Sequence, residues 1–273
     1  MRIQKAMLVF RKDWREIRRN WQVILPIVVV PLMISVVLPI ILAVIPNIAT
    51  TQGGSLSGFE SLIGNLPGNV QKELAGMTEQ QVMIYIMAVY FFAPFFLVIP
   101  LMASSVISSD SFAGEKERKT IEALLATPIS DGEMFLGKIL VSFIPSIIIT
   151  IISFAVYTTV FDILAYGIFD MFLLPTLDWI LLIFGLTPTL ALASIGLTVM
   201  ISARVKGFRE AQQISVVLLI PVLALIFGQV TGALIFGQIV IVALIGLFSI
   251  IDLAVFRIGV KHFKREEILS KLS

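Results

Sequence analysis

Long apolar runs alternate with short polar segments along nearly the whole chain. A membrane-spanning helix needs about 20 mostly apolar residues, because the hydrocarbon layer is about 30 Å thick and an α-helix rises 1.5 Å per residue. Six runs meet that requirement: Val23 to Ala49, Val82 to Ile107, Phe135 to Phe161, Trp179 to Ala203, Gln212 to Val230 and Gly232 to Phe256. The fifth and sixth are nearly continuous. One helix through both, of over about 40 residues, would overshoot the membrane, so the glycine and polar residues from Gln229 to Gly232 mark a break. The pattern predicts an all-α integral membrane protein, with residues 1-273 forming a single transmembrane domain.

A different period governs the first 22 residues. Ile3, Met7, Phe10, Trp14, Ile17 and Trp21 recur at alternating steps of four and three, along one face of a helix, while Lys5, Arg11, Lys12, Arg15, Arg18 and Arg19 cover much of the rest. Such a helix lies in the membrane surface. Trp14 and Trp21 suit the headgroup region and Arg18 suits anionic lipid, whereas a coiled-coil seam would need more heptads.

The segment from Asp110 to Ser130 breaks the apolar pattern most sharply. Six charged residues lie between Glu115 and Glu122, followed by Ala123, Leu124 and Leu125, and Pro128 disfavours helix at Thr127. Glu115 with Lys119, and Arg118 with Glu122, are opposite-charge pairs at (i, i+4), so a short helix is expected from Gly114 to about Ala126. Ser130 and Glu133 are spaced as a capping box for the third span. A solvated connecting turn is the alternative. Against it, Ile121, Leu124 and Leu125 would leave an exposed apolar stripe, which suits contact with a soluble partner.

Composition fixes the class. The chain is 58% hydrophobic and 14% charged, against about half apolar and a quarter charged for soluble domains. With both termini placed in the cytoplasm, the inner segments carry 19 of the 20 basic residues and only Lys72 falls outside, as the positive-inside rule demands. Basic residues are sorted by membrane side, with no aromatic-interleaved groove for nucleic acid. The first apolar run is about twice the 7 to 15 residues of a signal peptide and is read as a retained span. No cysteine is present, which excludes disulfides, thiolate metal sites and cysteine catalysis.

Outside the spans, Thr50 to Gln81 reads as a small external cap. Asp162, Asp170 and Asp178 on the outer side are spaced too widely for a typical oxygen-ligand cation site. Gly132 to Lys138 imitates the start of a phosphate-binding loop, but Ile139 replaces the Ser/Thr that would hold magnesium and no strand precedes it. Lys138 is instead expected to reach lipid headgroups. Within the spans only Asp252 is ionisable well inside a run, near its inner end; it is either a proton or cation relay or a side chain reaching the inner interface or a polar neighbour. Ala191, Ala193 and Gly196, and Gly228 with Gly232, permit close helix approach. Eight span prolines, Pro94 and Pro188 among them, are candidate kinks, and Tyr85, Tyr90, Phe91, Phe92, Phe95 and Phe96 either line an apolar path or contact lipid and pack against other helices.

The run Phe112-Ala113-Gly114-Glu115-Lys116-Glu117-Arg118-Lys119-Thr120-Ile121-Glu122-Ala123-Leu124-Leu125-Ala126-Thr127-Pro128, followed by Gly137-Lys138, resembles the signature of the membrane subunits of type-2 ABC exporters. The amphipathic N-terminal helix, the six spans and an inner loop from Arg204 to Gln212 extend the resemblance over essentially the whole chain. It implies a permease subunit without catalytic residues of its own, pairing in the plasma membrane with a second copy or a paralogue. It also implies a separate soluble ATPase that carries ATP and Mg and is coupled through the short helix between spans two and three. On that resemblance Glu115, Arg118, Lys119, Thr120, Glu122, Leu124 and Leu125 form the coupling element, with no cofactor or metal held by this chain.

Two other classes are less well supplied. A secondary transporter or channel would show midplane ionisable residues or internal symmetry, and only Asp252 and a short echo between Leu225-Gln229 and Leu234-Gln238 are found. An intramembrane enzyme has little to work with when His262 is the sole histidine.

Overall fold

The computed structural model describes residues 3–42, 70, 74–120, 127–205, 207–230 and 237–262. Helix α1 (Ile3–Ile17) precedes six longer helices: α2 (Trp21–Leu42), α3 (Glu79–Glu117), α4 (Asp131–Phe169), α5 (Leu177–Ser202), α6 (Phe208–Gln229) and α7 (Gln238–His262). All six are long and apolar enough to cross a membrane, and no strand occurs among the described residues. The external cap from Thr50 falls outside the described residues up to 73, apart from Val70, as does the break between α6 and α7 at 231–236.

Local signals explain several helix starts. Thr78 and Gln81 form a capping box on α3, Ser130 and Glu133 form the expected one on α4, and the Asn20 side chain caps α2 by accepting from Gln22 N at 3.1 Å. Helix α4 ends on Asp170 in the left-handed conformation. The chain beyond is held by Asp162, whose Oδ1 accepts from Leu173 N and Leu174 N at 3.1 and 3.2 Å. Asp162 therefore serves backbone N–H groups.

The core sits where α3 is interrupted. Pro94 has no N–H and its ring crowds the carbonyl four residues earlier, and α3 widens to a π turn over Met87–Phe91. Three side chains from three other helices supply donors there. Tyr157 Oη (α4) donates to Ala88 O at 3.1 Å, Trp179 Nε1 (α5) to Val89 O at 3.0 Å and Gln229 Nε2 (α6) to Tyr90 O at 2.9 Å. Backbone groups freed inside a membrane protein need such internal partners. Phe96, Tyr157 and Trp179 pack as a cluster with ring centroids 4.8 to 5.2 Å apart. Tyr85, Tyr90, Phe92 and Phe96 of the aromatic run are buried in this core, so helix packing accounts for them. A second π turn, Leu182–Leu186, lies directly before Pro188 in α5.

Helices α5 and α7 lie close, as the small residues predicted. A Cβ added at Gly185 would sit 2.7 Å from Ile245 Cδ1, and one at Gly196 would overlap Val255. Much of α6 and α7 is otherwise uncovered, including Val216, Ile220 and Phe227 on α6 and Leu247 and Ile250 on α7.

Candidate functional site

The charged residues of the sequence signature converge at one end of the bundle. There α1, the end of α3, the start of α4 and the start of α6 meet. The helix expected over 114–126 does not begin at Gly114, because residues 115–117 continue α3, whose second π turn, Asp110–Gly114, runs straight into them. The helix closes with Arg118 N donating to Gly114 O at 3.0 Å and Lys119 N to Lys116 O at 3.2 Å. Lys119 then takes φ +56°, a left-handed conformation uncommon for a side-chain-bearing residue, and the run breaks. Residues 121–126, including Glu122, Leu124 and Leu125, lie outside the described residues.

Extending α3 turns Glu115 inward, where it is 1% exposed. It pairs with Lys12 and, at 2.6 Å, with Lys138, in place of the expected Lys119. Lys138 is itself fully buried, so it does not reach headgroups. Its Nζ lies 3.2 Å from Asp13 Oδ2, donates to Ser111 O at 2.5 Å, and stands 5.3 Å from the centre of the Phe112 ring. Ser111 Oγ donates to Asp13 Oδ2 at 2.6 Å. Lys12 completes the group at 3.3 Å from both Asp13 Oδ1 and Glu16 Oε1.

Glu122, the expected partner of Arg118, lies outside the described residues, and Arg118 folds back along α3. Its Nη1 lies 2.9 Å from Asp110 Oδ1 and its Nη2 3.9 Å from Glu16 Oε2. Gly114, midway between Asp110 and Arg118, makes this possible, since a Cβ there would stand 2.8 Å from Asp110 Oδ1 and 3.1 Å from Arg118 Nη1. Asn20 Nδ2 donates to the same Asp110 oxygen at 3.0 Å. On the other side of α3, Lys116 Nζ donates to Val205 O at 2.9 Å, and Glu117 Oε2 accepts from Phe208 N, at the start of α6, at 2.8 Å.

Helix α1 is thereby gripped at both ends of the α3–α4 connection. Lys5 Nζ donates to Pro128 O at 2.6 Å, beyond the far side of that connection. The face of α1 turned to the bundle is Ala6, Val9, Asp13 and Ile17, not the whole aromatic stripe. Ile3 and Trp21 of that stripe are exposed, Trp14 is half-buried, and Arg18 is exposed. Lys119 is also exposed, and Thr120 Oγ1 donates to Glu115 O at 3.4 Å.

The sequence pattern did not bring Lys138, Asp13, Lys12, Glu16, Asp110 and Asn20 together: Lys138 was expected at the headgroups and Lys12 on the polar face of the N-terminal helix. The signal for two of them was present, since Lys138 stands in an apolar run and Asp13 in a basic helix. A charge in an apolar run needs a partner that its neighbours cannot supply, and an acid among bases draws a cation.

Burial alone would raise the Asp13 carboxyl, but Lys138 and Lys12 outweigh it and hold the group below its ordinary value of 3.8. Burial would lower Lys12, and Glu115 and Asp13 outweigh that, raising it above 10.5. The stability from Asp13 is fully present above 3.8 and is lost as pH falls through its lower folded value. That from Lys12 is fully present below 10.5 and is lost as pH rises through its higher folded value. Protection of α1 amides from hydrogen exchange is therefore expected to be flat through neutral pH and to fall in acid below about 3.8. A decline centred near pH 6 would contradict this assignment.

A family model described as ABC-2 family transporter protein matches residues 7–255, nearly the whole chain, from within α1 to within α7. The chain belongs to the ABC-2 transporter family. It is thus a multi-pass membrane subunit of an ABC transporter, and the charged knot lies within the matched region. No curated protein and no solved structure matches the chain.

Proposed function

We propose that this ABC-2 permease forms, with a second copy or a paralogue, the path of an exporter powered by a separate ABC ATPase seated on residues 114–126. The supporting observation is the buried ionic knot that joins α1, α3 and α4 at the foot of that segment. A displacement of the segment would be carried directly into three helices, because each knot member is held by partners on another helix. Glu115 and Arg118 act as the root that holds the segment. Lys119 and Thr120, with Glu122, Leu124 and Leu125 beyond them, meet the ATPase, the leucines entering an apolar groove and the charged groups fixing register.

The charged end and both termini lie on the cytoplasmic face of the plasma membrane, in keeping with the sorting of basic residues. Trp14, Arg18 and Trp21 rest in the lipid headgroups. The uncovered apolar faces of α6 and α7 suit lipid and a second membrane subunit. ATP and Mg belong to the ATPase, and this chain transports without hydrolysing.

The test is to purify the tagged chain from its native membrane in mild detergent and quantify what accompanies it. A soluble P-loop ATPase at one copy per permease is expected. Leu124→Asp with Leu125→Asp should reduce its recovery at least about tenfold while the permease keeps its melting temperature, as loss of central apolar anchors does at interfaces. A permease that runs without any ATPase in several detergents would overturn the proposal.

A further inference from the structure

Asp252 is used by none of the contacts described above, and its position is unusual. It lies on α7 in a cavity of about 470 Å³ between α4, α5 and α7, whose walls include Phe135, Ile139, Leu192, Ile195 and Leu253. That volume falls within the ~300–1,000 Å³ of small-molecule sites, which combine apolar walls with a few polar groups. Thr189 and Ser249 are the other polar side chains on the wall. Asp252 Oδ1 is buried and has no hydrogen-bond partner, and Asp252 forms no ion pair among the described residues. Since Val255 meets Gly196 and Ile245 meets Gly185, Asp252 lies near the level of residue 193. That places it roughly 14 Å of helix rise from the end of α5 at Ser202, well inside the bundle.

A carboxylate at this depth is costly unless it takes up a proton or a cation joins it. Among the described residues Lys138 is fully buried in the knot, and Arg257, five residues along α7, forms no ion pair with Asp252. Leu192 and Leu253 at the rim are exposed, so the cavity opens on the apolar, lipid-facing side.

We propose that this cavity binds an organic cation with an apolar body, its charge seated against Asp252. That the bound cation is cargo rests on the permease reading above; the binding itself does not. An anion of the same size is excluded by the carboxylate, and a neutral one leaves it unpaired.

The test uses the complex as purified, in lipid nanodiscs without ATP, with radiolabelled tetraphenylphosphonium as the probe. Saturable binding at one site per permease is expected, weakened at least about tenfold by Asp252→Asn and retained by Asp252→Glu. Ser249→Phe, which fills the cavity without touching the charge, should weaken binding as much, and tetraphenylborate should not compete. Unchanged affinity in Asp252→Asn or in Ser249→Phe would overturn the proposal, as would equal competition by tetraphenylborate. So would disulfide-linked permease pairs from Ser249→Cys in this cysteine-free chain, because they would place a partner over the cavity. Probe binding is read on the permease and ATPase capture on Leu124 and Leu125, so either reading can fail while the other stands.

Discussion

Lys138→Met is expected to be the most damaging single substitution in the chain. It replaces a fully buried ammonium with an apolar group of similar length and leaves Asp13 and Glu115, at 2% and 1% exposure, facing each other across the vacated position. Lys12 still contacts both, but it approaches from the edge of the knot. Breaking a buried ion pair by removing one partner typically costs about 3 to 5 kcal/mol, because the remaining charge keeps its desolvation penalty. Ser111 O also loses its donor. The expected result is a large fall in melting temperature of the purified permease, together with loss of α1 protection in hydrogen exchange. The triple variant Lys138→Met, Asp13→Asn, Glu115→Gln should recover part of the stability, since it removes the two buried carboxylates left without Lys138 while Lys12, half-buried at the edge, keeps Glu16. If the single variant melts with wild type, or if the triple variant is worse than the single, the knot is not the attachment described here.

That contrast also explains how the knot escaped local reading. Spacing rules pair residues within one helix, and Glu115 with Lys119 satisfied them. The actual partners of Glu115 are 23 and 103 residues away in sequence. The local rule failed because α3 continues ten residues past its apolar run, from Ile107 to Glu117, and so presents Glu115 to the interior. Where an apolar run ends and where its helix ends are set by different forces, namely hydrocarbon burial for the first and tertiary hydrogen bonds for the second. The six spans were legible because lipid thickness acts on each of them separately. The N-terminal segment was legible as a helix, but its docked face was not. Ala6 and Val9 are smaller than Phe10 and Trp14, and what selects them is small size opposite Gly137.

Gly137→Ala is the second large effect expected, and it isolates α1 docking from charge. A Cβ at Gly137 would stand 2.6 Å from Ala6 O and 2.7 Å from Val9 Cβ, so the obstacle includes backbone that no rotamer change can remove. Helix α1 would have to move away, and its Asp13 and Lys12 would draw back from Lys138 and Glu115, whose contacts fall off with distance. Overpacking commonly costs about 1 to 3 kcal/mol, to which the weakened ion pairs add. Exchange of α1 amides should accelerate at least about tenfold, with the α3 core around Tyr157 and Trp179 unchanged. Gly132→Ala in the first turn of the same helix is the control. Nothing lies within 4 Å of its added Cβ, and Ala in place of a helical Gly gains roughly 0.5 to 1 kcal/mol. If Gly137→Ala behaves like Gly132→Ala, α1 does not depend on this close approach. If only Gly137→Ala frees α1 and also lowers transport per ATP hydrolysed while ATPase recovery stays at wild-type level, then α1 carries motion from the connection into the bundle and is more than an anchor at the membrane surface.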